Sequence, residues 1–172
     1  MVDLDKHTDK RKWFVVVAKP RAEKQVSRRL TEADVEHFLP LQRQLRVWHD
    51  RKKWVEMPLF PSYVFIKTEE RLRTRVFGIN GVVRFVNFGG KAAVLSDREI
   101  ERIHRLCEWL GEVAIEQGNI KAGDEVEILT GHFKGLRGQV LDKGDKKLLR
   151  IAIEGLGCVA TVRLSEEEIK KI

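Results

Sequence analysis

Residues 120–141 read IKAGDEVEILTGHFKGLRGQVL. Val126 and Ile128 alternate with charged residues, glycines follow at 131, 135 and 138, and Val140 resumes the apolar alternation. A period of two is the pattern of a half-buried strand. Glycine enters φ > 0 without steric cost, so three glycines between strand-like runs predict a compact β-turn unit. Phe133, between the first two of them, is placed to plug the end of a small barrel. In a helix each glycine would cost about 1 kcal/mol, so the segment is expected to be β and not a helical hairpin.

The chain upstream has a different character. WFVVVAK (13–19) is a near-continuous apolar run of strand length, as expected of a central strand covered on both faces. Pro20 is expected to open a helix, since its missing N–H had no partner there anyway. Ala22, Val26, Leu30 and Ala33 recur at helical spacing, leaving Arg21, Lys24, Arg28 and Arg29 on the remaining face. HFLPLQRQLRVW (37–48) and WVEMPLFPSYVFIKT (54–68) read as strands around a basic connection, HDRKK (49–53), in a hairpin or an extended loop. Thr68 is placed to cap a short helix that stops at Gly78, and GVVRFVNFGG (81–90) reads as a strand ending in a Gly-Gly turn. Ser96-Asp97-Arg98-Glu99 has the spacing of a capping box. The helix behind it carries Ile100, Ile103, Leu106, Cys107 and Leu110 on one face and is expected to end at Gly111. Residues 112–119 show no period and read as a linker, and short β-runs begin at Ile120.

At 172 residues the chain has room for one medium domain and one small one. A net charge of +7 favours phosphate backbones or acidic surfaces as partners. No apolar run is long enough to span a bilayer, and MVDLDKHTDKRK has no signal-peptide core, so the expected compartment is the cytoplasm. Cys107 and Cys158 form no CxxC pair and are expected as buried reduced thiols. Signatures of catalysis are missing. NFGGKA (87–92) lacks the spacing of a phosphate-cradling loop, the five histidines are isolated, and Ser62 has no G-x-S-x-G around it. No catalytic residue, metal or cofactor is expected, and helix capping accounts for the Asp97/Glu99 pair.

PLFPSYVFIK (58–67) places Tyr63 and Phe65 on one face of a strand and Val64 and Ile66 on the other. The plain reading is core on one face and packing under a helix on the other. The sharper reading makes the aromatic side a dock for a partner, joined by Phe14 or Val17 and by Phe85.

Two resemblances give these segments a context. The run Gly123, Val126, Ile128, Gly131, Phe133, Gly135, Gly138, Val140 resembles the KOW motif of transcription-elongation and ribosomal proteins. WFVVVAKPRAEKQV, PLFPSYVFIK and VVRFVNFGGKAAVLSDREI resemble, in order, three blocks of the NusG N-terminal (NGN) domain, and all four blocks together cover roughly residues 12–165. The resemblance implies an α+β chain: an NGN-type α/β sandwich, with an antiparallel sheet flanked by helices, then a small all-β SH3-like KOW barrel. The expected layout is a disordered tail at 1–11, the NGN domain at 12–111, a linker at 112–119 and the KOW domain at 120–172.

The family resemblance also implies partners. NusG proteins bind RNA polymerase through an aromatic depression that docks on the β′ clamp helices, while the other side reaches the β subunit. Phe60, Tyr63, Phe65 and Phe85 fall at positions of that depression, with Trp13 and Phe14 in the strand beneath. Where housekeeping members read FFPGYV this chain reads LFPSYV, and WHDRKKWVEMPLFPSYVFIK resembles specialised paralogues such as RfaH and the capsule-operon antiterminators of Bacteroidota. Such paralogues act on selected operons after contact with the non-template DNA strand or the nascent RNA. Lys19 matches a DNA-contacting lysine of RfaH, and Arg21, Lys24 and Arg28 are its neighbours on the next helix, where a solvated face is the plain alternative. The KOW domain of the family recruits termination factor Rho or the ribosomal protein NusE. The expected function is antitermination by a monomer with no membrane contact. The alternatives are a housekeeping NusG coupled to Rho and translation, and a ribosome-associated KOW RNA-binding protein.

Overall fold

The computed structural model describes residues 10–117, 124–128, 132–143 and 146–164. The N-terminal part contains β1 (Arg11–Ala18), α1 (Glu23–Glu32), β2 (His37–Phe38), β3 (Leu41–Val47), β4 (Lys52–Pro58) and β5 (Tyr63–Glu69). A 3₁₀ helix at Glu70–Gly78 follows, then β6 (Val82–Phe85), β7 (Asn87–Phe88), β8 (Lys91–Ala92), β9 (Val94–Leu95) and α2 (Asp97–Glu108). The C-terminal part contains β10 (Val113–Gln117), β11 (Asp124–Glu127), β12 (Arg137–Lys143), β13 (Lys146–Ile153), a 3₁₀ turn at Glu154–Leu156 and β14 (Cys158–Leu164).

Strand β1 is the centre of the first sheet, whose order is β2-β5-β1-β6 with β9 also pairing β1, all antiparallel. Its apolar run is buried on both faces, as the sequence predicts for a central strand. Trp13, Val15 and Phe65 pack with Ile100, Ile103 and Leu106 of α2. Phe14, Val16, Val64 and Ile66 pack with Val26 and Leu30 of α1 on the other side. Each such side chain contributes roughly 1.5–3 kcal/mol when fully buried, so the two helices hold the sheet from either face.

Two turns of the same design lie beside one another at this sheet, one leading from β1 to α1 and the other from β4 to β5. In Lys19-Pro20-Arg21-Ala22 the Ala22 N–H donates to the Lys19 carbonyl at 3.0 Å, and Arg21 has φ of +63°. In Phe60-Pro61-Ser62-Tyr63 the Tyr63 N–H donates to the Phe60 carbonyl at 3.1 Å, and Ser62 has φ of +65°. Proline at the second position and φ > 0 at the third is the type II pattern, in which glycine is the favoured third residue. Pro20 therefore belongs to a turn and α1 starts at Glu23, three residues later than expected, because Arg21 is left-handed. The Ser62 turn is held from outside. The buried Glu23 carboxylate accepts the Ser62 N–H at 2.8 Å, and the Ser62 carbonyl accepts the Ala18 N–H at 2.7 Å.

The expected long strands are interrupted where proline removes a donor. β2 and β3 flank Pro40, and β4 ends at Pro58. β3 and β4 form the hairpin, paired from Leu41↔Pro58 to Val47↔Lys52. The segment expected as a Thr68-capped helix is 3₁₀ and begins at Glu70. β7 and β8 turn through Gly89 and Gly90, both at positive φ, as a two-residue hairpin loop requires.

The second sheet is antiparallel in the order β10-β14-β13-β12-β11. This corrects the linker reading. Val113–Gln117 is an edge strand of that sheet, paired with β14 from Val113↔Val162 to Gln117↔Cys158. Val113 and Ile115 turn toward its core, a pattern too short to stand out in sequence. Residues 1–9, 118–123, 129–131, 144–145 and 165–172 lie outside the described residues.

The Ser62 turn yields a stability prediction. Ser62→Gly should raise stability by about 1 kcal/mol, because a left-handed non-glycine residue costs roughly 1–2 kcal/mol and glycine entropy returns part of that. Glu23→Ala should lower it by about 1.5–3 kcal/mol, the range for a hydrogen bond to a charged group. Urea unfolding of the two variants checks both signs.

Candidate functional site

The five aromatic residues expected at one docking surface divide between the two faces of the first sheet. Register decides this. Val15 pairs with Phe65 and Val17 with Tyr63, whereas Phe14 pairs with Ile66 and Val16 with Phe85. Paired residues share a face, so Tyr63 and Phe65 lie together while Phe14 and Phe85 lie opposite. On the first side Phe60 meets Phe65 edge-on at 5.9 Å, and Phe38 lies 6.0 Å from Phe65. Phe38 in turn stacks on His104 of α2 at 3.8 Å. Phe60 and Phe65 are buried, with Tyr63 half-buried beside them. On the second side Phe14 and Phe85 meet edge-on at 6.0 Å, exposed Phe77 extends the group at 5.4 Å, and the Arg73 guanidinium lies over both inner rings. Val64 and Ile66 pack under α1 and Phe65 under α2, so both faces of β5 are covered by helices.

Trp13 is core, as its place in the central strand suggests, but its indole has a polar duty as well. Its Nε1 donates to Asp97 Oδ1 at 2.8 Å, and Lys67 Nζ reaches the same oxygen at 3.2 Å. The first residue of α2 is thereby tied to β1 and β5.

The four cations expected to meet nucleic acid stand at the C-terminal end of β1 and along α1. Lys19, Arg21 and Lys24 are exposed and in no ion pair among the described residues. Arg28, one turn further, lies 3.9 Å from Glu32. Their neighbour Arg29 donates to the Asn80 carbonyl at 2.7 Å.

Of the glycine-punctuated run, Val126, Ile128 and Phe133 are buried and Val140 is half-buried. Gly135 has φ of +79°, and its N–H donates to the Ile128 carbonyl at 2.6 Å. At Gly138 a Cβ would stand 2.4 Å from the Arg150 carbonyl oxygen, so β12 and β13 can pair there only without a side chain. Gly123 and Gly131 lie outside the described residues.

No local pattern foretells the junction between the two parts. Phe133 packs not inside its own sheet alone but against Trp109, at 5.0 Å between ring centres. Arg105 Nη1 donates to the Lys134 carbonyl at 2.6 Å, Arg102 Nη1 to the Ala152 carbonyl at 3.2 Å, and His132 Nε2 lies 2.7 Å from the Arg105 carbonyl. Glu99 completes the capping box with Ser96 and also accepts the Gly155 N–H at 2.8 Å. Desolvation pushes the Glu99 carboxyl up, but the N–H groups of Gly155 and Ser96, the Ser96 hydroxyl and Arg102 outweigh it and hold the group below its ordinary range. Burial, helped by Glu108, pushes the Cys107 thiol up to about 12, and burial with Glu99 pushes Cys158 up to about 11. Both are free, protonated thiols; Cys158 is buried, as expected, and Cys107 only half-buried.

Among the described residues no cluster of His, Cys, Asp or Glu could hold a metal ion, and no helix is long and apolar enough to cross a membrane. An antiparallel α/β sandwich is thus joined through its second helix to a five-stranded β module. The family described as "Transcription termination factor nusG" matches residues 11–104, more than half of the chain, and the chain belongs to that NusG family of termination and antitermination factors. The transcription termination/antitermination protein NusG of Pasteurella multocida (strain Pm70) is 24% identical over 178 residues, 95% of this chain and 97% of that protein. A solved structure described as "Domain interaction in Thermotoga maritima NusG" is 25% identical, with a TM-score of 0.56 over 94% of this chain and 97% of that one. NusG proteins are transcription factors and not enzymes, in accord with the absence of catalytic motifs from the sequence.

The Glu99 bond makes the junction sensitive to acid. A carboxyl held low in the folded state contributes stability above its unfolded value, about 4.3, and loses it as pH falls through the lower folded value. In an NMR titration the Gly155 amide should therefore shift only below the ordinary carboxylate range and not in the neutral range. Glu99→Gln should abolish that acid transition.

Proposed function

We propose that this protein is a polymerase-bound elongation factor that promotes processive, antiterminated transcription of selected operons. The observation that carries the reading is the set of exposed, unpaired cations Lys19, Arg21 and Lys24 at the end of β1, beside the Ser62 turn. Cations left without protein partners are available to phosphates. The LFPSYV block, shared with specialised paralogues, supports the same branch of the family.

In this reading the β′ clamp helices of RNA polymerase dock where half-buried Tyr63 reaches the surface beside buried Phe60 and Phe65, and the β subunit is met across the DNA channel. A helix in an apolar groove is a recurrent mode of recognition, with aromatic anchors supplying most of the energy. Phe14 and Phe85 then support the sheet from the α1 side. Lys19 and its neighbours hold the non-template strand or the nascent RNA. The KOW domain recruits NusE, and the factor works as a cytoplasmic monomer.

Tyr63 is the residue to test, because it is half-buried at the edge of the cluster. Tyr63→Ala should weaken polymerase binding by about 2 kcal/mol, the usual cost of losing an aromatic anchor. Phe65→Ala is a poor probe, since emptying a fully buried phenylalanine site costs about 3–5 kcal/mol of folding stability. Wild-type binding by a folded Tyr63→Ala variant overturns the docking assignment. Lys19→Ala should flatten the salt dependence of binding to non-template-strand oligonucleotides. On a template with a Rho-dependent terminator the protein should increase read-through. Enhanced termination would instead mark a housekeeping factor.

A further inference from the structure

A four-residue turn with proline in second place can take two forms. Types I and II differ by a half-turn of the central peptide, which carries φ of the third residue from about −90° to about +80°. In Phe60-Pro61-Ser62-Tyr63 that peptide joins Pro61 to Ser62, and the φ of +65° at Ser62 marks type II. Serine by itself favours the other form. A residue with a Cβ meets steric cost at φ > 0, so glycine suits the third place of type II and serine suits type I.

Glu23 reverses this preference. It is only 7% exposed, and the Ser62 N–H, at 2.8 Å, is the one hydrogen bond its side chain makes among the described residues. That N–H belongs to the central peptide, the group whose direction separates the two forms. In type I the half-turn would take the N–H away from the carboxylate and bring the Pro61 carbonyl toward it, oxygen against oxygen. A buried carboxylate left without a donor is costly, so the single bond selects type II. The Ser62 carbonyl, bonded by the Ala18 N–H, lies in the next peptide and does not choose between the forms.

The turn carries two of the docking aromatics. Phe60 is its first residue and is buried against Phe65, and Tyr63 is its fourth and opens β5 opposite Val17. Exposed Pro61 and half-buried Ser62 form the surface between them, and the half-turn would reverse the Pro61 carbonyl and redirect the Ser62 side chain there. We propose that Glu23 is a positioning residue for polymerase docking: from α1 it holds the Phe60–Tyr63 turn in the type II form that the polymerase meets. This rests on docking at Tyr63 and goes beyond it, since Glu23 is buried and itself touches no partner. Glycine at position 62 would take the type II form unaided, so the need for Glu23 comes from the serine.

The test reads turn form and affinity for core RNA polymerase on the full chain, below the melting range of every variant. Turn form is read from the nuclear Overhauser effect between Pro61 Hα and the Ser62 amide proton, strong in type II and weak in type I. Glu23→Ala should weaken that effect and lower polymerase affinity about fivefold, the population shift set by the low end of the left-handed cost. Glu23→Gln keeps an oxygen for the same N–H and should bind like the wild type. Glu23→Ala combined with Ser62→Gly needs no holder and should regain both the type II signal and the affinity. Leu30→Val loosens α1 in the same core away from the turn, and should lower Tm with affinity unchanged. Full affinity in Glu23→Ala beside a weakened Tyr63→Ala overturns the positioning role and leaves the docking site standing, whereas full affinity in both variants overturns both. A type II signal retained in Glu23→Ala, a loss that Ser62→Gly does not restore, or an equal loss in Leu30→Val also overturns the proposal, the last by reducing the effect to fold stability.

Discussion

Burial of β1 on both faces is the constraint on which the remaining structure depends. A strand with Phe14, Val15 and Val16 fully buried needs a cover on each side and neighbours on both edges. α1 and α2 are the covers, and β5, β6 and β9 are the neighbours. The two proline turns follow from that requirement. The chain leaves β1 for α1 and re-enters the sheet at β5 within a few ångströms, and Glu23 bonds one turn to the helix that the other begins. A serine is tolerated at the left-handed position because neighbours on two elements hold its backbone N–H and carbonyl.

α2 then serves twice. Ile100, Ile103 and Leu106 complete the core beneath the sheet. Its polar residues Glu99, Arg102 and Arg105 hold backbone groups of the second part. These are side-chain-to-backbone bonds around one aromatic contact, Trp109 on Phe133, and the buried Trp109 Nε1 and Arg102 Nε have no partner among the described residues. An unpaired buried donor costs about 1–3 kcal/mol, which the junction's other contacts must offset. Gln42 adds a bond from the hairpin base to the same connection, which sets the hairpin's origin next to the join.

Much of this was legible in the chain. The apolar run of β1, the capping box of α2, the hairpin, and the alternation of Tyr63/Phe65 with Val64/Ile66 are local patterns, and each appears where the pattern puts it. The start of α1 is not legible in the sequence because Pro20 suits a helix and a type II turn equally, and the φ of Arg21 decides between them. Val113–Gln117 reads as a linker in the sequence because an edge strand of five residues has too little period to stand out. The aromatic group was drawn together from both sides of the sheet because face assignment between strands depends on register, which no single strand contains.

By itself the sequence determined the secondary-structure types, the β character of the glycine-punctuated run and the family, because each rests on near-neighbour spacing or on short ordered motifs. Tertiary structure alone decided which aromatics share a face and which cations are left without partners. It also decided that Glu99, a helix cap by its sequence, joins the two parts of the molecule. Those outcomes depend on residues far apart in the chain, such as Glu99 and Gly155, whose meeting is set by sheet register and by what α2 has left to offer once its apolar stripe is buried.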